Sequence, residues 1–162
     1  MKHVADELDA IITEALPVLK RMTAKDAEIR YAPGKWSRKE FLGHLIDSAL
    51  NNLQRIIRLQ IDQNLPATFP GYDADKWVTV GGYHDMPWDD VIELWARLNR
   101  LFASDCRRAK PETFNRRWIS LIYAADGSGV TLQWIAEDYV RHLRHHLHQV
   151  VPHHFLEFKY PA

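Results

Sequence analysis

Apolar positions along the chain recur mostly at three- and four-residue spacing, the signature of amphipathic helices, and four long stretches carry it. Between Val4 and Met22 the stripe is Leu8, Ile11, Ile12, Ala15, Leu16 and Leu19, with Pro17 placed where it would kink the helix. A second stripe, Leu42, Leu45, Ile46, Ala49, Leu53, Ile56 and Ile57, continues to about Ile61. Its start is marked by Ser37-Arg38-Lys39-Glu40, a capping box in which the serine hydroxyl and the glutamate carboxylate each take an orphaned amide. A third helix opens at Pro87, a favoured first-turn residue, with Asp89 and Asp90 complementing the dipole. It carries Val91, Leu94, Trp95, Leu98 and Phe102 to about Arg108. The fourth runs free of Pro and Gly from Thr131 to Val151, with Leu132, Ala136, Val140, Leu143, Leu147 and Val150 as its stripe.

Four such helices predict an all-α bundle. Two connections are long: Asp62 to Met86, punctuated by Pro66, Pro70-Gly71 and Gly81-Gly82, and Ala109 to Val130, with an extended-looking Arg117 to Tyr123 and a turn at Asp126-Gly127-Ser128-Gly129. Antiparallel neighbours need only a few linking residues. The link between helices two and three can therefore cross the bundle and leave them parallel, which predicts an up-down-down-up order with helices two and four antiparallel. No repeat, low-complexity tract or linker divides residues 1–162, so one domain is expected.

Composition narrows the class. The hydrophobic fraction of 46% and six tryptophans argue against disorder. Lys+Arg and Asp+Glu balance at 21 each, without the basic footprint of a nucleic-acid binder. The single Cys106 cannot form an intramolecular disulfide, the amino terminus lacks a signal-peptide core, and no run reaches membrane-spanning length. A cytoplasmic protein with no nucleic-acid or membrane partner is expected.

Candidate chemistry concentrates at the end of the fourth helix, in His142-Leu-Arg-His145-His146-Leu-His148-Gln149. His142 and His146 are spaced i,i+4, so both imidazoles leave one face, the usual helical half of a site for a borderline ion such as Zn²⁺ or Ni²⁺. His145 with His148 is the alternative, weaker pair. In an antiparallel pairing, His44 of helix two lies level with His142 and His146, each on the order of 10 Å from the same end of the bundle. His44, however, sits away from its apolar stripe, in a column with Glu40, Asp47, Ser48, Asn51 and Arg55. That column is either a solvated face or the lining of a wet cleft.

Pro33-Gly34-Lys35-Trp36-Ser37, Gly43-His44-Leu45-Ile46-Asp47-Ser48 and Asp138-Tyr139-Val140-Arg141-His142 with His145-His146-Leu147-His148-Gln149 resemble the DinB superfamily, nearest to its YfiT-like branch of metal-dependent hydrolases. Pro70-Gly71-Tyr72, Trp77 and Pro87-Trp88 extend the resemblance over nearly the whole chain. It implies a four-helix up-down-down-up bundle and a divalent metal held by His44, His142 and His146. It also implies either hydrolysis of a small molecule or transfer of a low-molecular-weight thiol to an electrophile, and a homodimer.

Around those ligands, Asp47 and His145 are the candidate proton-handling residues, and Gln149 a candidate to orient an imidazole. Asp47 is equally a surface charge or a partner of Arg55, and Gln149 an ordinary surface glutamine. Tyr139 and Cys106 are read chiefly as core, and His3, His84, His148, His153 and His154 as surface. Three imidazoles leave coordination positions open, as catalytic sites do. The alternative to an enzyme is a non-catalytic metal-binding or dimerisation module.

Overall fold

Local chemistry fixes the start of each long helix, and the helices then bury their stripes on one another. In the computed structural model, which describes residues 1–155 apart from 31, 63, 121, 122 and 125, the long helices are α1 (Lys2–Arg21), α3 (Arg38–Ile61), α5 (Trp88–Arg108) and α6 (Leu132–Val150). The capping box closes both ways: the Glu40 amide donates to Ser37 Oγ at 3.2 Å, and the Ser37 amide donates to Glu40 Oε2 at 2.6 Å. Thr131 caps α6 by accepting from the Trp134 amide at 3.1 Å. The core holds Trp95, Phe102 and Tyr139, with the Tyr139 ring stacked on Phe102 and its hydroxyl donating to Asn99 Oδ1 at 2.7 Å. Cys106 is buried beside them, and burial pushes its thiol up to about 12.

Side-chain contacts give the helix directions. Lys20 meets Glu93 at 3.0 Å while Arg107 meets Asp6 and Asp9 at 3.0 and 2.8 Å, so α1 and α5 are antiparallel. His3 meets Glu137 at 3.1 Å and Glu7 meets Arg144 at 2.9 Å, so α1 and α6 are parallel. His44 near the start of α3 meets His142 and His146 near the end of α6, while Arg55 shares a cavity with Trp134 and Ile135 at the opposite end. Helices α3 and α6 are therefore antiparallel. These exposed ion pairs are markers of register more than sources of stability.

The connections carry more structure than their irregular sequence predicts. A four-residue helix, α2 (Ala24–Ala27), follows α1. An eight-residue helix, α4 (Ala74–Gly81), follows α3; Asp73 caps it by accepting from the Lys76 amide at 3.1 Å, and Gly82 ends it at φ 64°. A 3₁₀ turn, Tyr83–Asp85, leads on toward α5. Strand β1 (Arg117–Trp118) pairs antiparallel with β2 (Val130–Thr131), and Leu65 bridges to Trp118 from the other connection. Gly129 makes the pairing feasible: its φ is +68°, and a Cβ there would lie 2.3 Å from the Trp118 carbonyl oxygen. Of the extended stretch expected over Arg117 to Tyr123, residues 121 and 122 lie outside the described residues. Ile57, expected in the core stripe, is 40% exposed, and Leu59 is buried instead. Among the described residues no helix is long and apolar enough to cross a membrane.

Candidate metal centre

Four members of the polar column of α3 are buried, and Glu40 and Asn51 are half-buried. His44, Asp47, Ser48 and Arg55 expose between 2% and 4% of their surface, because α6 covers one side of the column and α4 with the 3₁₀ turn the other. The cleft reading of His44 is the one the structure adopts.

His44, His142 and His146 come together at the end of the bundle where α3 begins and α6 ends. Their ring centroids are 4.5 to 5.0 Å apart, and one nitrogen from each lies within 4.8 Å of the others. Nε2 of His44 and Nε2 of His142 are 3.1 Å apart. Zn–N bonds of about 2.0–2.1 Å at tetrahedral angles would put ligand nitrogens about 3.3 Å apart, so this spacing fits two ligands of one ion. The outer nitrogens have partners that select the tautomer. Gln149 Oε1 accepts from Nδ1 of His146, and Nδ1 of His142 lies 3.3 Å from Ser48 Oγ. A proton on each Nδ1 leaves the Nε2 lone pair facing inward. His44 Nδ1 is buried with no hydrogen-bond partner among the described residues. Its ring packs instead against Trp36 at 4.9 Å.

The electrostatics keep the trio neutral. Burial, then the proximity of His146, lowers the His44 pKa to about 3. Burial also lowers His146 to about 4, and His142 falls well below its usual value through burial and its three neighbouring imidazoles. Three uncharged imidazoles with convergent lone pairs are a donor set for a borderline divalent cation.

The remaining candidates divide. His145 stacks edge-on against His146 with centroids 4.8 Å apart, at the rim. In the alternative pair, Nδ1 of His148 meets the Phe155 carbonyl oxygen at 2.7 Å. Asp47 faces α4 and the 3₁₀ turn after it, where its Oδ1 accepts from the Tyr83 hydroxyl at 2.6 Å. Burial raises its pKa, and the Tyr83 hydrogen bond opposes that rise. Tyr139, which could have aimed its hydroxyl at the site, spends it on Asn99.

A cavity of about 50 Å³ opens beside His142, bounded by Ser48, Arg55, Trp118 and Asp138. Asp138 pairs with Arg141 at 3.1 Å, and burial raises its pKa. As a lining carboxylate it escaped the sequence reading, although its place one turn before His142 on the same face was the available signal. Trp118, read from the sequence as core or pocket wall, is both, and the pairing of the two connections brings it under α3.

Residues 7–150 match the DinB superfamily. The chain belongs to that superfamily. Among DinB relatives, a protein of Oceanobacillus iheyensis named "Putative metal-dependent hydrolase" is 24% identical over 117 residues, covering 70% of this chain and 66% of that protein. One of Bacillus cereus with the same name is 22% identical over 120 residues, covering 74% and 58%. The chain thus spans less than two thirds of the length of either. The fold is similar to that of YfiT from Bacillus subtilis, described as "a probable metal-dependent hydrolase with an unusual four-helix bundle topology". The TM-score is 0.73 at 22% identity, over 91% of this chain and 84% of that one.

Proposed function

We propose that this DinB-superfamily chain is a metal-dependent hydrolase of a small molecule, with a divalent cation, zinc or nickel, held by His44, His142 and His146. The observation that carries the reading is the convergence of three neutral imidazoles beside a cavity, and the names of the relatives support it. When bound, the cation supplies Lewis acidity and lowers the pKa of the nucleophile. Ser48 and Gln149 hold the His142 and His146 rings in register. The Asp138 carboxylate, in the same cavity as His142, takes the proton that the nucleophile sheds. His145 at the rim exchanges protons with solvent.

Transfer of a low-molecular-weight thiol is the second reading. It is favoured by the engagement of Asp47, the carboxylate one turn from His44, with Tyr83. A thiol at a cation loses its proton without a dedicated base.

The test begins with calorimetric titration of Zn²⁺ and Ni²⁺ into metal-free protein. One ion per chain is expected, with affinity reduced by at least roughly a hundredfold in His44→Ala and in His142→Ala. The loaded protein is then assayed for ester and amide hydrolysis and for thiol conjugation. Unchanged metal content in both variants would overturn the site. Specific metal binding without turnover of any substrate class would favour the non-catalytic module.

A further inference from the structure

Arg55 is an arginine the trio does not use. It lies two turns beyond Ser48 on α3, is 3% exposed, and takes part in no ion pair among the described residues. Its guanidinium carbon sits 4.2 Å over the Trp118 ring, a favourable cation–π contact. One terminal nitrogen donates to Asn52 Oδ1 at 2.9 Å, and the Tyr123 hydroxyl is a second neighbour. Its Nε has no partner among the described residues. Five fixed donors thus face fewer acceptors than they can use.

A buried guanidinium without a carboxylate is costly to keep, because no opposite charge offsets its desolvation. The carboxylate of the same cavity, Asp138, is paired with Arg141. What the guanidinium lacks is a planar anion, and the cavity before it, about 50 Å³, has room for about three to five water-sized groups, enough for a carboxylate on a short stem. That cavity also touches His142.

We propose that Arg55 receives the carboxylate of the substrate, so that the molecule processed at the three-histidine centre is a small carboxylic acid derivative. The assignment of the reacting end rests on the proposed function above; the carboxylate pocket does not. Ser48, which meets His142, is about 10 Å of helix rise from Arg55. The arginine stem leans back toward the start of the helix and shortens the gap. The reacting atom therefore lies only a few bonds from the carboxylate. Trp118, Trp134 and Tyr139 wall the space between and favour an aliphatic or flat linker. A bidentate fork selects a carboxylate over the isosteric amide, since the amide places a donor against a donor.

The test uses the full chain, metal-free and zinc-loaded, titrated with butyrate, butyramide and inorganic phosphate at equal ionic strength, and followed by calorimetry and thermal melting. Butyrate is expected to bind the metal-free protein and raise its Tm, and butyramide and phosphate to bind at least tenfold more weakly. Arg55→Met should lose at least tenfold in butyrate affinity while its ligand-free Tm stays level or rises, the opposite of what a structural arginine would give. Arg55→Lys, which keeps charge and stem, should fall in between and serves if the methionine variant does not fold. Butyrate binding that survives Arg55→Met, equal binding of butyramide or phosphate, or no binding by either form of the protein overturns the assignment. Loss of the metal in His44→Ala with Arg55-dependent butyrate binding intact supports it. Failure of the wild-type chain to bind metal, with butyrate binding retained, overturns the hydrolase reading and leaves the carboxylate pocket standing.

Discussion

Gly43→Ala, next to His44, is a substitution whose sign depends on the packing of one ring. In an isolated helix it would stabilise by about 1 kcal/mol, because alanine loses less backbone entropy than glycine. Here a Cβ at position 43 would lie 2.3 Å from both Cγ and Cδ2 of Tyr83 and 2.8 Å from its Cβ. Those atoms are the root of the side chain, so rotation about χ1 cannot clear them all, and the 3₁₀ turn carrying Tyr83 must move. Gly81 confines the other edge of the ring, where a Cβ would come within 2.7 Å of Cε2. Overpacking of this kind costs about 1–3 kcal/mol. Displacement also breaks the 2.6 Å bond from the Tyr83 hydroxyl to buried Asp47, and hydrogen bonds to charged groups contribute about 1.5–3 kcal/mol. Against the helix gain, the net is destabilisation of about 1.5–5 kcal/mol, readable as a lower urea midpoint at unchanged slope. In a Tyr83→Gly background all three clashing side-chain atoms are gone, and Gly43→Ala should become stabilising by about 1 kcal/mol, a change of sign that a double-mutant cycle reads directly. Stabilisation in the wild-type background, or equal loss in both, would refute the account of Gly43 as the slot for Tyr83.

Three further outcomes are expected. Burial holds the Asp47 proton to higher pH than in the unfolded chain, so ionising it disfavours folding; Asp47→Asn, which keeps an acceptor for Tyr83, should raise stability at pH 7 by on the order of 1 kcal/mol, with the gain vanishing below pH 4. A neutral-pH loss in chemical denaturation would contradict that sign. Ser48→Ala and Gln149→Ala should each weaken zinc binding by roughly 10–100-fold in competition with a chromogenic chelator, and unchanged affinity in both would remove them from any orienting role. Cys106, buried and with its thiol pushed up to about 12, should resist iodoacetamide at pH 8 in the native protein and react readily in urea, and rapid native labelling would place it elsewhere.

Much of this was written locally. The Ser37–Glu40 box and Thr131 mark helix starts through side chains within one turn, so periodicity with capping chemistry located the helices to within a residue or two. The i,i+4 spacing of His142 and His146 likewise follows from helix geometry alone. Helix α4 was less visible: eight residues between Asp73 and Gly82 are too few for an apolar period to stand out, and it forms because both ends are capped and one face covers α3.

The polar column of α3 marks where a single-helix reading runs out. A helical wheel assumes one buried face and one wet one. By that standard His44, Asp47, Ser48 and Arg55 belong in solvent, yet all four are buried, because α5, α6 and the α4 connection enclose α3 on three sides. Leu50, Ile57 and Ile61 occupy the strip left uncovered, at 40%, 40% and 75% exposure. Hydrophobic patterning thus gave way at the margins of this helix: Leu42, Leu45, Ile46, Ala49, Leu53 and Ile56 are buried as their stripe requires, but four polar side chains joined them inside while three apolar ones stayed outside. A fold under selection for stability alone would favour the reverse, since buried unpaired charge is costly and exposed isoleucine gains nothing. The buried polar groups of α3 include His44, one of the three convergent imidazoles, and the Arg55 guanidinium, which has no carboxylate partner among the described residues. The two ligands proposed above, a cation at one end of the column and an anion at the other, would supply the partners that the polypeptide does not itself provide.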